Sequence, residues 1–369
     1  MKARFAVFIV LVQSILLGAH WFIYKTWIDF RQVPDPPGIT PLQILAGILS
    51  FSFVAASLLA FRFRNQPVKL FYRLAAVWLG AANFFFLAAC ACWALGTFAH
   101  VAGLRVASDR LATVCYGTAI VASLYGLVNA RWLRVRRIQV KLPNLPESWS
   151  GRVAALASDL HLGHINGIRF LQHIVARLAR IAPDIVFLTG DLYDGTLVDP
   201  AEMAAPLRNL AAPLGAFFVT GNHEEFRDPS AYLQAVGGSG VRVLNGEKVT
   251  VDGLQIVGVP YHETVNVQRF QAVLERAEID PERASILLSH SPHALPAAEQ
   301  AGISMQLSGH THGGQIFPFT WLTHRIFRAY TYGLQRFREM LVYTTTGAGT
   351  WGPPMRVGTS PEIVLIEFV

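Results

Sequence analysis

Five short clusters carry the residues of this chain best suited to chemistry: Ser158-Asp159-Leu160-His161, Gly190-Asp191-Leu192-Tyr193-Asp194, Gly221-Asn222-His223-Glu224, Ser289-His290 and Ser308-Gly309-His310-Thr311-His312. Carboxylates, imidazoles and an amide oxygen form a mixed nitrogen and oxygen donor set that suits Mn, Fe or Zn. A carboxylate can bridge two cations, and two cations about 3.5–4 Å apart can clamp a phosphoryl group and activate water against it. Such a pair needs about seven protein ligands with one shared. The clusters supply Asp159, His161, Asp191, Asn222, His290, His310 and His312. Any one cluster alone reads equally well as a solvated turn or a surface loop. Their recurrence in one order, each at the end of an apolar run, is what a structural reading does not explain.

Those apolar runs are the elements that must position the clusters. Strands are expected at 152–157, 184–189, 216–220, 254–259, 284–289, 304–307, 341–345 and 363–368, and helices at 168–181, 200–210, 229–236, 267–277 and 292–300. Strands alternating with helices imply a largely parallel sheet system covered on both faces. In such sheets the loops beyond the carboxyl ends of the strands converge on one crevice, so clusters more than 150 residues apart can meet there.

The first part of the chain is of another kind. The whole is 52% hydrophobic and only 15% charged, too few charges for a chain solvated by water alone. Four apolar stretches (5–27, 42–61, 74–99 and 111–132) are each near the ~20 residues that cross a bilayer core as a helix. The first is too long for a signal peptide and three more follow it. Gln13, His20 and Asn83 within these stretches are expected to pack between helices. Through Ser150 there are 15 Lys and Arg against four acids; beyond it there are 16 against 20. The net charge of +7 therefore belongs to the hydrophobic part, and a polyanion-binding catalytic part is disfavoured. Loop charges divide 11 against 4 between the two sides, which places both termini in the cytoplasm by the positive-inside rule. The cluster from Arg131 to Lys141 would then lie against anionic head groups. Cys90, Cys92 and Cys115 all sit in apolar runs, so neither a disulfide framework nor a thiolate metal site is available to the second part. The expected division is a transmembrane helical domain at 1–135, a linker and first strand at 136–151, and a catalytic domain at 152–369.

Asp-x-His, Gly-Asp, Gly-Asn-His-Glu, a later His and Gly-His-Thr-His, in that order, resemble the calcineurin-like metallophosphoesterase family from about Arg152 to Val369. The resemblance implies an α/β fold, a four-layer αββα sandwich, here preceded by a bundle of about four transmembrane helices. It implies two divalent metal ions, with Mn expected and Fe or Zn as alternatives. By matching positions, Asp159, His161 and His312 would hold one metal, and Asn222, His290 and His310 the other, with Asp191 bridging. His223 would contact the phosphate and leaving-group oxygen without ligating, so that His223, Asn222 and Asp191 form the catalytic set. Gly309-His310-Thr311-His312-Gly313-Gly314-Gln315 behind a membrane-embedded segment is similar to the branch containing YkuE- and YaeI-type phosphodiesterases and a membrane-bound UDP-diacylglucosamine pyrophosphatase. Pro260-Tyr261-His262 departs from that branch, which often has an acidic pair there.

The expected function is hydrolysis of a phosphodiester or pyrophosphate at the cytoplasmic face of the cell (inner) membrane. The expected partners are a phosphorylated, lipid-linked small molecule such as UDP-diacylglucosamine, and membrane lipids. Two alternatives come from other classes: a membrane-attached nucleotide phosphodiesterase or nuclease, and a non-catalytic metal-binding membrane sensor. His164, His173, His262, His293 and His324 match no ligand position, while Asp194 and Glu224 either orient ligands or solvate turns. Between Gln315 and Met340, aromatics interleave with Arg325, Arg328, Arg336 and Arg338. That pattern suits a head-group boundary, stacked bases or a core-packed insertion.

Overall fold

The computed structural model describes residues 2–34, 38–226 and 228–369. The chain divides into two compact units, Met1–Val128 with Gly352–Met355, and Asn129–Trp351 with Arg356–Val369.

The first unit is helical: α1 (Lys2–Arg31), α2 (Pro41–Ala60), α3 (Gln66–Val101) and α4 (Ser108–Arg131). All four are long and apolar enough to cross a membrane. Their starts are written locally. Thr40 and Gln43 form a reciprocal cap on α2 with Pro41 in its first turn, and Asn65 caps α3 ahead of Pro67. With no water to satisfy them, polar groups inside the bundle bond between helices. Gln13 Nε2 donates to the Ser50 carbonyl at 3.1 Å, Trp78 Nε1 to His20 Nε2 at 2.8 Å, and Tyr116 Oη to the Ile23 carbonyl at 2.6 Å.

The second unit carries two six-stranded mixed sheets. One has the order β1 (Arg134–Val140), β12 (Glu362–Phe368), β2 (Val153–Ala157), β3 (Ile185–Thr189), β4 (Ala216–Val219), β5 (Arg242–Val243). The other runs β10 (Gly333–Phe337), β11 (Met340–Thr344), β9 (Met305–Ser308), β8 (Ser285–Ser289), β7 (Leu254–Val259), β6 (Glu247–Val251). β1 starts two residues before the stretch 136–151 and pairs parallel to β12 as far as Val140. The helices are α5 (Ile168–Ile181), α6 (Pro200–Ala204), α7 (Ser230–Gly237), α8 (Tyr261–Thr264), α9 (Val267–Arg276), α10 (Leu295–Gln300) and α11 (Phe319–Phe327).

Three apolar cores define the layers. Leu156, Phe187 and Ile366 of the first sheet meet Ile256, Ile286 and Leu307 of the second in a core between the sheets, closed by the fully buried Trp149. α5 buries Leu171, Ile174, Val175 and Leu178, one stripe at helical spacing, against the other face of the first sheet. α9 and α10 bury Phe270, Leu274 and Ala298 against the second sheet. Helix, sheet, sheet, helix is the four-layer sandwich that the family resemblance implied. A truncation such as Leu178→Ala would cost about 2–5 kcal/mol of this packing.

The eight interior strands are the eight apolar runs of the sequence. The four sheet edges are β1, which falls at the first strand expected within 136–151, and β5, β6 and β10, which the sequence pattern does not reveal.

Candidate metal centre

Every cluster follows the carboxyl end of a parallel strand: β2, β3 and β4 in the first sheet, β8 and β9 in the second. The loops continue the ladder beyond the strands. Asp159 N donates to the Gly190 carbonyl and His161 N to that of Asp191, each at 3.0 Å, and Gly309 N donates to the His290 carbonyl at 2.9 Å. Two glycines make this approach possible. A Cβ on Gly221 would stand 2.2 Å from Asp191 Oδ1, and one on Gly309 would stand 2.2 Å from Asp159 Oδ2. Asp159, His161, Asp191, His310 and His312 all have left-handed backbone, with φ between 48° and 72°. That conformation costs a non-glycine residue about 1–2 kcal/mol and persists only where the surroundings impose it, commonly at functional sites.

Six of the seven candidate ligands, all but Asn222, converge with His223 in three overlapping groups: Asp159, His161 and His312; Asp191, His290 and His310; and His161, Asp191 and His223. Within the first, His312 Nε2 lies 3.0 Å from His161 Nε2 and 3.4 Å from Asp159 Oδ1. Within the second, His290 Nε2 lies 3.3 Å from His310 Nδ1 and 3.2 Å from Asp191 Oδ2. The same Asp191 oxygen is 3.8 Å from His161 Nε2, so it stands between the two groups. Asn222 Oδ1 is buried and has no hydrogen-bond partner among the described residues.

These observations test whether cations fit. Two nitrogens brought face to face, an unpartnered amide oxygen and two buried carboxylates are costly unless positive charge joins them. Burial pushes the Asp159 carboxyl up to about 6. At His290 burial lowers the imidazole pKa, but the adjacent Asp191 carboxylate reverses this and raises it to about 10. A divalent cation supplies that charge without a proton, and the donor set is the mixed nitrogen and oxygen kind that such cations take. The residues fit a metal pair.

The residues behind the ligands were less visible in sequence. Glu224 is fully buried and accepts three backbone N–H bonds, from Asp191 at 3.0 Å, Gly221 at 2.7 Å and Tyr193 at 2.9 Å, so it locks the second and third clusters together. Burial, with Asp191 nearby, raises its pKa to about 7. Asp194 is half-buried and solvates its own turn, accepting from Thr196 N at 2.7 Å and from the Thr196 hydroxyl at 2.5 Å. His164 is fully buried and pairs with the Thr196 hydroxyl at 3.0 Å. Arg356 was not singled out by any spacing. It is fully buried, donates to the carbonyls of Thr346 at 2.7 Å and Gly349 at 2.6 Å, and lies 3.3 Å from His312 Nδ1. Burial lowers its pKa to about 10.

His223 Nδ1 donates to the Asp194 carbonyl at 2.9 Å, which leaves Nε2 facing the centre, 3.9 Å from Asp191 Oδ2. Its ring packs against Phe226 at 4.4 Å and Trp351 at 5.8 Å, both more than half exposed. His173, His262, His293 and His324 are exposed and lie outside the three groups. The segment from Gln315 to Met340 divides. Tyr332 donates to Glu362 at 3.0 Å and Phe327, at the end of α11, lies 6.1 Å from His310, whereas the rest of α11 packs little and none of its residues is fully buried.

The family model for calcineurin-like phosphoesterases matches residues 153–314, the stretch that spans all five clusters. An Aquifex aeolicus metallophosphoesterase is 30% identical over 255 residues, covering 68% of this chain and 97% of that protein. The chain belongs to the calcineurin-like phosphoesterase family. Members of this family use a dinuclear metal centre, and the His and Asp groups above lie within the matched stretch. A zebrafish (Danio rerio) transmembrane protein with metallophosphoesterase domain is 35% identical over 266 residues, covering 68% of this chain and 60% of its own length. The chain thus spans about three fifths of that relative. The metallophosphoesterase YkuE of Bacillus subtilis is 29% identical over 266 residues, covering 66% of this chain and 90% of that protein.

Proposed function

We propose that this chain is a membrane-bound phosphoesterase that hydrolyses a phosphodiester or pyrophosphate with two divalent cations. The observation that carries the reading is the pair of nitrogen-to-nitrogen approaches, 3.0 Å at His161 and His312 and 3.3 Å at His290 and His310, on either side of Asp191. Asp159, His161 and His312 would hold one cation, Asn222, His290 and His310 the other, with Asp191 shared. The cations would supply Lewis-acid polarisation of the phosphoryl group and an activated water. Asp191 is fixed for a bridging role by His223 N, which donates to its Oδ1 at 2.9 Å and leaves Oδ2 toward the centre. His223, oriented by the Asp194 carbonyl, presents Nε2 where a phosphoryl or leaving-group oxygen would lie, and exchanges a proton there. Phe226 and Trp351 border His223 and limit the access of water to it.

Mn²⁺ is our choice of metal, and a lipid-linked substrate our choice of class, with UDP-diacylglucosamine the leading example. Holding enzyme and lipid in one membrane raises their effective concentration. We place the unit on the cytoplasmic side of the cell membrane from the 11-to-4 division of loop charge. The test is turnover by purified full-length protein with Mn²⁺, on lipid-linked pyrophosphates and on soluble diesters. Hydrolysis of neither would end the reading. Activity on soluble diesters alone would retain the chemistry and remove the lipid.

A further inference from the structure

The helix α11 is built the wrong way round for a water-exposed surface. Phe319, Leu322 and Ile326 fall on one helical stripe and are 52%, 56% and 61% exposed; Trp321, 67% exposed, lies on the other face with His324 and Arg325. Soluble surfaces rarely leave such a group of side chains in water. The polar side chains of the same helix turn the other way, into a cavity of about 700 Å³. Trp321, His324 and Arg325 wall it on one side and Gly358 and Thr359 on the other, and it reaches Gly313, the residue after His312. No Asp or Glu occurs from Gln315 through Arg338, whereas Arg325, Arg328, Arg336 and Arg338 do. The far wall has a further tie. Asn129, in the last turn of the apolar helix α4 and part of this same unit, donates to the carbonyls of Thr359 at 2.8 Å and Arg356 at 2.9 Å.

We propose that α11 is an interfacial helix, seated in the head-group layer by Phe319, Leu322 and Ile326, and that the cavity it walls, with Trp321 at its edge, receives the phosphate-bearing head group of a lipid. An apolar stripe flanked by cations is the pattern that binds an anionic bilayer surface; Arg336 and Arg338 pair with Glu339 and Glu299, so Arg325 and Arg328 fill that role here. His324 and Arg325 then meet the head group as it passes toward Gly313. The head-group role rests on the reading of the centre as a phosphoesterase; the seating of α11 does not.

Full-length protein in nanodiscs containing phosphatidylglycerol tests both parts. The chain has eight tryptophans, so emission of the wild type minus that of Trp321→Phe isolates Trp321. With lipids brominated near the head group, this difference emission should fall by about half or more. No fall would overturn the seating, as would a response to an oligonucleotide in place of one to lipid. In the second arm, Leu322→Asn with Ile326→Asn should slow hydrolysis of a bilayer-borne phosphodiester by about tenfold and leave bis(p-nitrophenyl) phosphate within about twofold. Both side chains are exposed, so the fold does not depend on them. Equal loss on both substrates, or none on the lipid, would overturn the role of the cavity. A wild type that hydrolyses neither would sink the phosphoesterase reading and leave the quenching result to decide the seating.

Discussion

Behind Asp191 and His290 stand hydrogen-bond acceptors, and behind His312 stands a buried cation. His290 donates Nδ1–H to the Thr189 carbonyl at 2.7 Å, and the loop that carries Asp191 is fastened by Glu224 through three backbone N–H groups. On the other side, His161 Nδ1 is buried without a partner among the described residues, and His312 Nδ1 faces the Arg356 guanidinium. An acceptor behind an imidazole fixes its orientation and raises its basicity as a ligand; a cation does the opposite. The two halves use similar ligands, yet they should differ in how tightly they hold a metal. On the proposed assignment, the half of His290 and His310 should be the firm one, and the half of His161 and His312 the exchangeable one.

The largest effect expected falls on the residue the halves share. Asp191→Asn should cut turnover by about a thousandfold and lower the occupancy of both cations. Metal content per chain and turnover measured together decide this. Two retained metals with normal turnover would remove Asp191 from the bridge and leave the halves unconnected.

His223 is next, because it borders both halves and its Nε2 also lies within reach of Asp191 and His161. If its work is in the transition state, His223→Ala should slow turnover by about a hundredfold and leave metal content intact. Loss of one metal would instead make it a ligand of the exchangeable half, and the comparison would have to be redrawn with four residues on that side.

Much of this was legible in sequence, and what was not has a common cause. Interior strands such as β3, Ile-Val-Phe-Leu-Thr, are buried on both faces and read as unbroken apolar runs. Edge strands expose one face and one row of backbone groups and are protected by charge, so β1, Arg-Val-Arg-Arg-Ile-Gln-Val, reads as a basic cluster at a membrane boundary. In the structure Arg136 of that strand lies over the Tyr332 ring, 5.3 Å from its centroid. The ligands were legible because each follows an interior strand. Arg356 was not, since it lies in a Gly- and Pro-rich loop and its partners are carbonyls, which carry no sequence signal. The left-handed backbone of Asp159 and His161 was hidden for the same reason: tertiary pairing imposes it, and no glycine marks it.

Glu224 sets the firmness of the second half. In the wild type, chelation should remove the metals in two steps, the exchangeable one first. Glu224→Gln keeps the shape but weakens the grip on three N–H groups, and should lower the affinity of the firm half by about tenfold to a hundredfold. The two steps would then merge. Metal content against buffered free metal gives the answer, and a single step in the wild type would break the comparison outright.

The smallest effect concerns Arg356, and it separates geometry from charge. Arg356→Lys keeps a cation behind His312 but replaces a planar fork of five donors with a point charge of three. The fork holds the carbonyls of Thr346, Gly347 and Gly349 together. That loop in turn grips the first cluster: Ala348 N donates to the Ser158 carbonyl and Gly349 N to that of Asp159, each at 2.9 Å. A Cβ on Gly347 would stand 2.6 Å from Asp159 Cβ, so the loop has little room to shift without moving Asp159. Loosening the fork should therefore reach Asp159 and His312, while His290 and Glu224 hydrogen-bond to other segments. The first chelation step should move by about threefold toward weaker binding, with the second unchanged, which widens the gap that Glu224→Gln closes. Equal movement of both steps would mean that Arg356 supports the domain as a whole. No movement would mean that its charge alone, which lysine preserves, sets the weakness of that half.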